Sequence, residues 1–269
     1  MSSSNKKQNP KPQSRFMRIT SIFILCSIAL LTIAGLWAYW QYKTVPKYWV
    51  DNQQYLSDTD NQTLYRIASD LEKHLNSKIT EPQTQPDQSS RRLRIPTSLI
   101  NAWLNQRLTL WAADFYGIEL PENISDVMLS TEADNLVLAF EINDGNINQV
   151  ISTIFNITFN NSDTATLKLV GLRAGSLSLP VSASLSQLGE IDNLTGPDTP
   201  VEITQLDKGL TFNPTFPIDK SRNAQIIGLK TEPATPDHPE AIVIQFKHTP
   251  RPSNSSSRHA SSASTLSAS

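Results

Sequence analysis

Ile19-Thr-Ser-Ile-Phe-Ile-Leu-Cys-Ser-Ile-Ala-Leu-Leu-Thr-Ile-Ala-Gly-Leu-Trp-Ala-Tyr-Trp40 is a run of 22 residues without a formal charge. As a helix rising about 1.5 Å per residue, it spans the ~30 Å hydrocarbon core of a bilayer. Ten of its residues are Ile, Leu or Phe. At about 0.3–0.6 kcal/mol each near the centre, they outweigh Thr20, Ser21, Ser27 and Thr32. Trp37, Tyr39, Trp40 and Tyr42 gather at the far end, as an interfacial belt does. The run predicts a single transmembrane helix over residues 19–40, acting as a signal anchor. A cleaved signal peptide fits less well: the run exceeds the ~7–15 apolar residues of such a peptide, and Trp37-Ala-Tyr-Trp40 stands where small residues belong.

Charge sets the expected orientation. Lys6, Lys7, Lys11, Arg15 and Arg18 precede the run, while only Lys43 and Lys47 follow closely. The positive-inside bias puts residues 1–18 in the cytoplasm and the body beyond residue 40 outside it, with the span in the inner (cytoplasmic) membrane. The chain of 269 residues carries a net charge of −2, yet residues 51–269 hold 16 basic against 25 acidic side chains. An acidic body is a poor match for nucleic-acid phosphates, so no nucleic-acid partner is expected.

The scan for reactive chemistry predicts a protein that is not an enzyme and needs no metal or cofactor. Nine glycines are few for phosphate-cradling loops, and the single Cys26 lies inside the apolar run. One cysteine excludes an intrachain disulfide framework and a thiolate zinc cluster. His74, His238, His248 and His259 have no helical ligand spacing. A nucleophile elbow is absent. Asp237-His238, in a proline-rich loop, is the one pair that a hydrolase could use.

Five segments are expected: a disordered basic tail over 1–18, the span over 19–40, a link and first amphipathic helix over 41–95, a helix plus β-meander over 96–249, and a disordered Ser-rich tail over 250–269. In the third, Leu64, Ile67, Ala68, Leu71 and Leu75 form one stripe, capped by Asp60 or Asn61. A second helix follows Pro96, capped by Thr97 or Ser98 and stopped by Gly117. Its face carries Leu99, Ile100, Trp103, Leu104, Leu108, Trp111 and Phe115. Arg91, Arg92 and Arg94 form a solvated lead-in to that helix and a candidate contact for a phosphate headgroup.

After Pro121 the apolar period changes to two. Val127, Leu129 and Thr131 alternate, turn at 132–135, and resume as Leu136, Leu138, Phe140 and Ile142. Ile151 to Phe159 and Ala165 to Leu169 continue the pattern. A short helix over Val181–Leu188, strands within Val201–Phe212, and a closing pair of Ala224–Thr231 and Ala241–His248 complete the reading. The fold class is α+β: one transmembrane helix, then two amphipathic helices packed on an antiparallel meandering sheet. Leu136, Leu138, Phe140, Phe155, Ile157 and Phe159 are expected to share one apolar face. That face either fills a core under the second helix or lines a groove.

Asn101 within Pro96-Thr-Ser-Leu-Ile-Asn-Ala-Trp-Leu-Asn105, and Gly175-Ser-Leu-Ser-Leu-Pro180 within the meander, follow in order behind a basic start and one span. Over residues 15–190 the chain resembles the YpmS-like single-pass bacterial envelope proteins. Some of those are similar to tubular lipid-binding folds, in which a curved sheet and a long helix enclose acyl chains. The resemblance implies a membrane-anchored, extracytoplasmic, non-catalytic interaction or assembly protein of the cell envelope, with an envelope protein or a lipid as partner. The alternatives are a lipid or apolar-ligand binder with a groove in its curved sheet, and a hydrolase.

Overall fold

The computed structural model describes residues 15–81, 90–117, 119–145, 147–161, 164–182, 209–219 and 221–250. The ends of both expected tails, the rest of the short helix from residue 183, and most of the strands expected in Val201–Phe212 lie outside these residues. Helix α1, Arg15–Lys43, contains the expected span and extends it at both ends. Among the described residues it supplies the helix long and apolar enough to cross a membrane, and that stretch is unburied by protein.

The link after α1 is not extended chain. It forms α2, Lys47–Asp58, which starts after Pro46 at φ −61°. Trp49 and Leu56, seven residues apart, put two apolar side chains on one face, and both are buried. The expectation of two helices after the span is therefore corrected to three. The polar residues between Trp49 and Leu56 had hidden the stripe.

Helix α3, Asn61–Thr80, follows the expectation. Asp60 caps it by accepting a hydrogen bond from Thr63 N, 2.9 Å away. The Thr63 side chain, and then its backbone N–H, hold the Asp60 carboxyl below the ordinary carboxylate range. Helix α4, Thr97–Tyr116, ends as expected at Gly117, which is left-handed with φ 62°. Its start differs: Pro96 occupies the cap position without a side-chain bond. Thr97 instead turns inward and donates its N–H to Glu240 O at 3.0 Å. The buried residues of α4 are Thr97, Asn101, Ala102 and Ala112. Its large apolar side chains flank this seam, because small residues let the helix sit close to the strands beneath.

The single meander becomes two antiparallel sheets. The first has the order β1-β10-β9-β8: Arg91–Pro96, Ala241–Pro250, Arg222–Glu232 and Thr215–Pro217. The expected lead-in to α4 is thus the edge strand β1. Leu93 pairs with Ile244 and Ile95 with Ile242, a cross-strand match invisible at a separation of about 150 residues. The second sheet has the order β2-β3-β4-β5-β6: Ile124–Glu132, Asn135–Asp144, Ile147–Asn161, Thr164–Ala174 and Leu177–Leu179. A short β7, Leu210–Phe212, pairs with the far end of β5.

Helices α3 and α4 bridge both sheets, and two clusters form the core. Trp49, Leu56, Leu64 and Ala102 pack on Met128, Ala139 and Val150 of the second sheet. Leu71, with Leu75, Ile79, Leu99, Ile100 and Trp103, packs on Leu93, Ile95, Ala224 and Phe246 of the first. Each fully buried Leu or Phe contributes about 1.5–3 kcal/mol. Glu240 joins the sheets: its carboxylate accepts from Ser130 Oγ at 3.1 Å and from Thr131 N.

Candidate functional site

The last carbonyls of a helix have no partner within it. At the end of α1 they are taken by the second sheet. Ser176 N donates to Gln41 O at 3.0 Å, Gln149 Nε2 to Tyr42 O at 2.9 Å, and Ser176 Oγ to Thr44 O at 3.1 Å. The β5–β6 turn can approach this closely because residue 175 is glycine. Its φ is +59°, and a Cβ there would stand 2.8 Å from Thr44 O and closer still to Tyr42 O. One turn later Tyr48 OH bonds Ser152 Oγ. Burial pushes the Tyr48 hydroxyl above its ordinary range. The candidate span is thereby locked to the body rather than strung from it.

Asn101, the other residue of the resemblance, is fully buried. Its Nδ2 donates to Asn52 Oδ1 at 2.9 Å and to Leu129 O at 3.0 Å, and its Oδ1 accepts from Leu129 N at 2.6 Å. It ties α2 to α4 and α4 to β2. Both motif positions are therefore structural joints.

The six groove candidates do share one face. Leu136 pairs with Phe155, and Phe140 with Ile151, while Ile157 and Phe159 continue the alternation. The helices lie on the opposite face, over Met128, Ala139, Val150 and Ser152, where Val137 and Ile154 are also buried. The expectation of a core under the second helix is corrected here. Met128, Ala139 and Val150 face the helices, and the six are half-buried on the other side.

The three arginines diverge. Arg91 Nη1 donates to Lys78 O and Glu81 O, quenching the carbonyl end of α3. Arg94 Nε bonds Glu232 at 2.7 Å and its Nη2 bonds Pro239 O at 2.8 Å. Arg92 is exposed. Together with His74 and Lys78 they rim an open cavity of about 590 Å³. It adjoins one of about 420 Å³ lined by Ile67, Leu71, Ile95 and Leu99.

On the α4 face, Trp103 Nε1 donates to Glu72 Oε1 at 2.8 Å, and Trp111 meets Trp103 edge-on at 6.0 Å. Leu108 is half-buried. The Phe115 side chain lies outside the described set. Arg107 lies 4.2 Å over the Tyr65 ring and 3.7 Å from Glu72, beyond hydrogen-bonding distance.

Among the described residues, no three His, Cys, Asp or Glu side chains are grouped to hold a metal. Asp237 and His238 sit in an exposed turn closed by Thr235. Sequence reasoning missed Gln149, Ser152, Arg173 and Glu240. For Gln149, Ser152 and Arg173 the signal was a polar residue in a strand position otherwise reserved for apolar ones; Glu240 stands just before β10. Arg173 grips Glu132 with two bonds of 2.7 and 2.9 Å, which holds the Glu132 carboxyl below its ordinary range.

The Glu132–Arg173 pair has a pH consequence. A lowered folded-state pKa stabilises the fold above the unfolded carboxylate range, and the stabilisation fades as pH falls through the lowered value. Arg173→Met should flatten the loss of thermal stability below about pH 5, in melts across an acid series. An unchanged acid slope would show that the pair contributes nothing, as many exposed pairs do.

No family model matches the chain, and no curated protein or solved structure matches it either.

Proposed function

We propose that this protein is a membrane-anchored, non-catalytic interaction or assembly protein of the bacterial cell envelope, its body held outside the cytoplasm. The observation that supports this is the set of hydrogen bonds joining Gln41, Tyr42 and Thr44 to Gln149 and Ser176. A head that merely needs tethering requires no such lock. A head fixed in height and tilt meets a membrane partner in one orientation. The five basic residues before the span, against two close behind it, support the orientation.

A second reading, binding of a lipid or another apolar ligand, is favoured by the face of Leu136, Leu138, Phe140, Phe155, Ile157 and Phe159, which the helices leave uncovered. Native mass spectrometry of the full chain after mild extraction tests both readings. The expected result is the chain with a protein partner or a second copy. A retained acyl lipid, lost in Phe140→Asp but kept in Phe212→Asp, would replace the first reading with the second. A bare monomer would remove both.

A further inference from the structure

The end of the second sheet that receives α1 also receives the C-terminal half of α4. That end carries Ile124, which pairs with Ile142, then the β3–β4 turn and Gln149, and the Gly175-Ser176 turn. Helix α4 is pinned at two points. Thr97 is held by Glu240 beside Ser130 and Thr131, and Asn101 is held at Leu129. Moving from Thr97 to Asn101 therefore moves along β2 toward Ile124. The 15 residues after Asn101 in α4 add about 22 Å in that direction. The five steps from Leu129 to Ile124 in β2 cover about 17 Å. The tip of α4 thus reaches the end of the sheet at which α1 is docked.

Leu110 (57% exposed) and Trp111 (39%) are exposed on that tip. Val45 and Val50, at the exit of α1, are exposed at the same end. Single exposed apolar residues are ordinary on a protein surface. These stand together at one end, and tryptophan favours the headgroup layer, where its ring is half solvated. Asp114, Glu119 and Glu122 follow on the chain and are exposed, so attraction to anionic lipid is not the driving force.

We infer that the C-terminal turns of α4 rest in the interface of the bilayer that α1 crosses, with Leu110 and Trp111 as the inserted side chains. The body then has two membrane contacts, one spanning and one peripheral, and lies down on the bilayer. This rests on the reading of α1 as a membrane span.

The test uses the full chain in phosphatidylcholine vesicles with brominated acyl chains, labelled at one cysteine with a small fluorophore. Native Cys26 reports α1. Leu110→Cys and Phe212→Cys, each with Cys26→Ser, report the tip and a control. Phe212 is also apolar and 39% exposed. It lies opposite Ala165, nine residues along β5 from Ala174, about 30 Å from the docked end. Loss of emission at 26 and 110 with none at 212 supports the inference. Loss at 26 alone overturns it and leaves the span standing. Loss at all three also overturns it, since the contact is then not particular to α4. No loss at 26 removes the span and the inference together.

Discussion

Asn101→Leu lowers the stability of the full chain in detergent by about 3–5 kcal/mol, because Leu129 keeps its N–H and C=O under α4 with neither bonded. Each such group costs about 1–3 kcal/mol, and the bond to Asn52 is lost as well. For a body of this size the melting temperature should fall by roughly 10 °C. Asn52→Ala, which removes one of the three bonds, should cost about 1 kcal/mol. Asn105→Leu, exposed on the same helix, is the comparison. If Asn101→Leu melts no lower than Asn105→Leu, the buried amide is not a joint, and the anchoring of α4 to β2 must come from packing alone.

Gly175→Val is expected to release the body from α1 without unfolding it. Two effects act together. A β-branched residue in the left-handed region is strained by about 1–2 kcal/mol, and its Cβ collides with the carbonyl oxygens of Tyr42 and Thr44. Gly145→Val separates them. Gly145 has φ +56°, yet nothing lies within 4 Å of a Cβ there, so that variant suffers the backbone strain alone. Limited proteolysis of the full chain in vesicles should cut between Thr44 and Lys47 in Gly175→Val and spare Gly145→Val. Equal resistance in both would mean that the dock tolerates a side chain, and the rigid-head argument would fail. Equal cleavage in both would assign the effect to turn strain.

The dock and the tip of α4 together describe how a small body is posed on a bilayer. Docking consumes carbonyls that a helix end leaves unpaired, so its polar cost is already met. It also brings Tyr48, in the first turn of α2, against Ser152 beside the first core cluster. Loosening the dock should therefore be felt through α2 before it is felt in α3.

How much was legible depended on distance along the chain. The span, the α3 stripe with Asp60 at its start, the Gly117 stop and the β2–β3 hairpin were all readable, since each is written within some twenty residues. Helix α2 escaped because its two buried side chains are seven residues apart among polar neighbours. Strand β1 escaped because three of its six residues are arginine, which suggested solvent. Its partner strand lies at the other end of the body.

The six groove candidates show the boundary most clearly. Alternation put Leu136, Leu138 and Phe140 on one side of their strand, and pairing with Phe155 and Ile151 agrees. Alternation is silent about which side a helix will cover. The six carry more aromatic area, yet the helices cover the face of Met128, Ala139 and Val150. The covered face is the one at which Asn101 bonds the N–H and C=O of Leu129 and Ala102 packs beside Met128. Local periodicity therefore accounts for the elements and their two-sided character, because each turn or strand step repeats a short-range rule. The choice of covered face, the division into two sheets, and the locking of Tyr42 to Gln149 belong to the folded whole, because they arise between residues that meet only after the chain has closed.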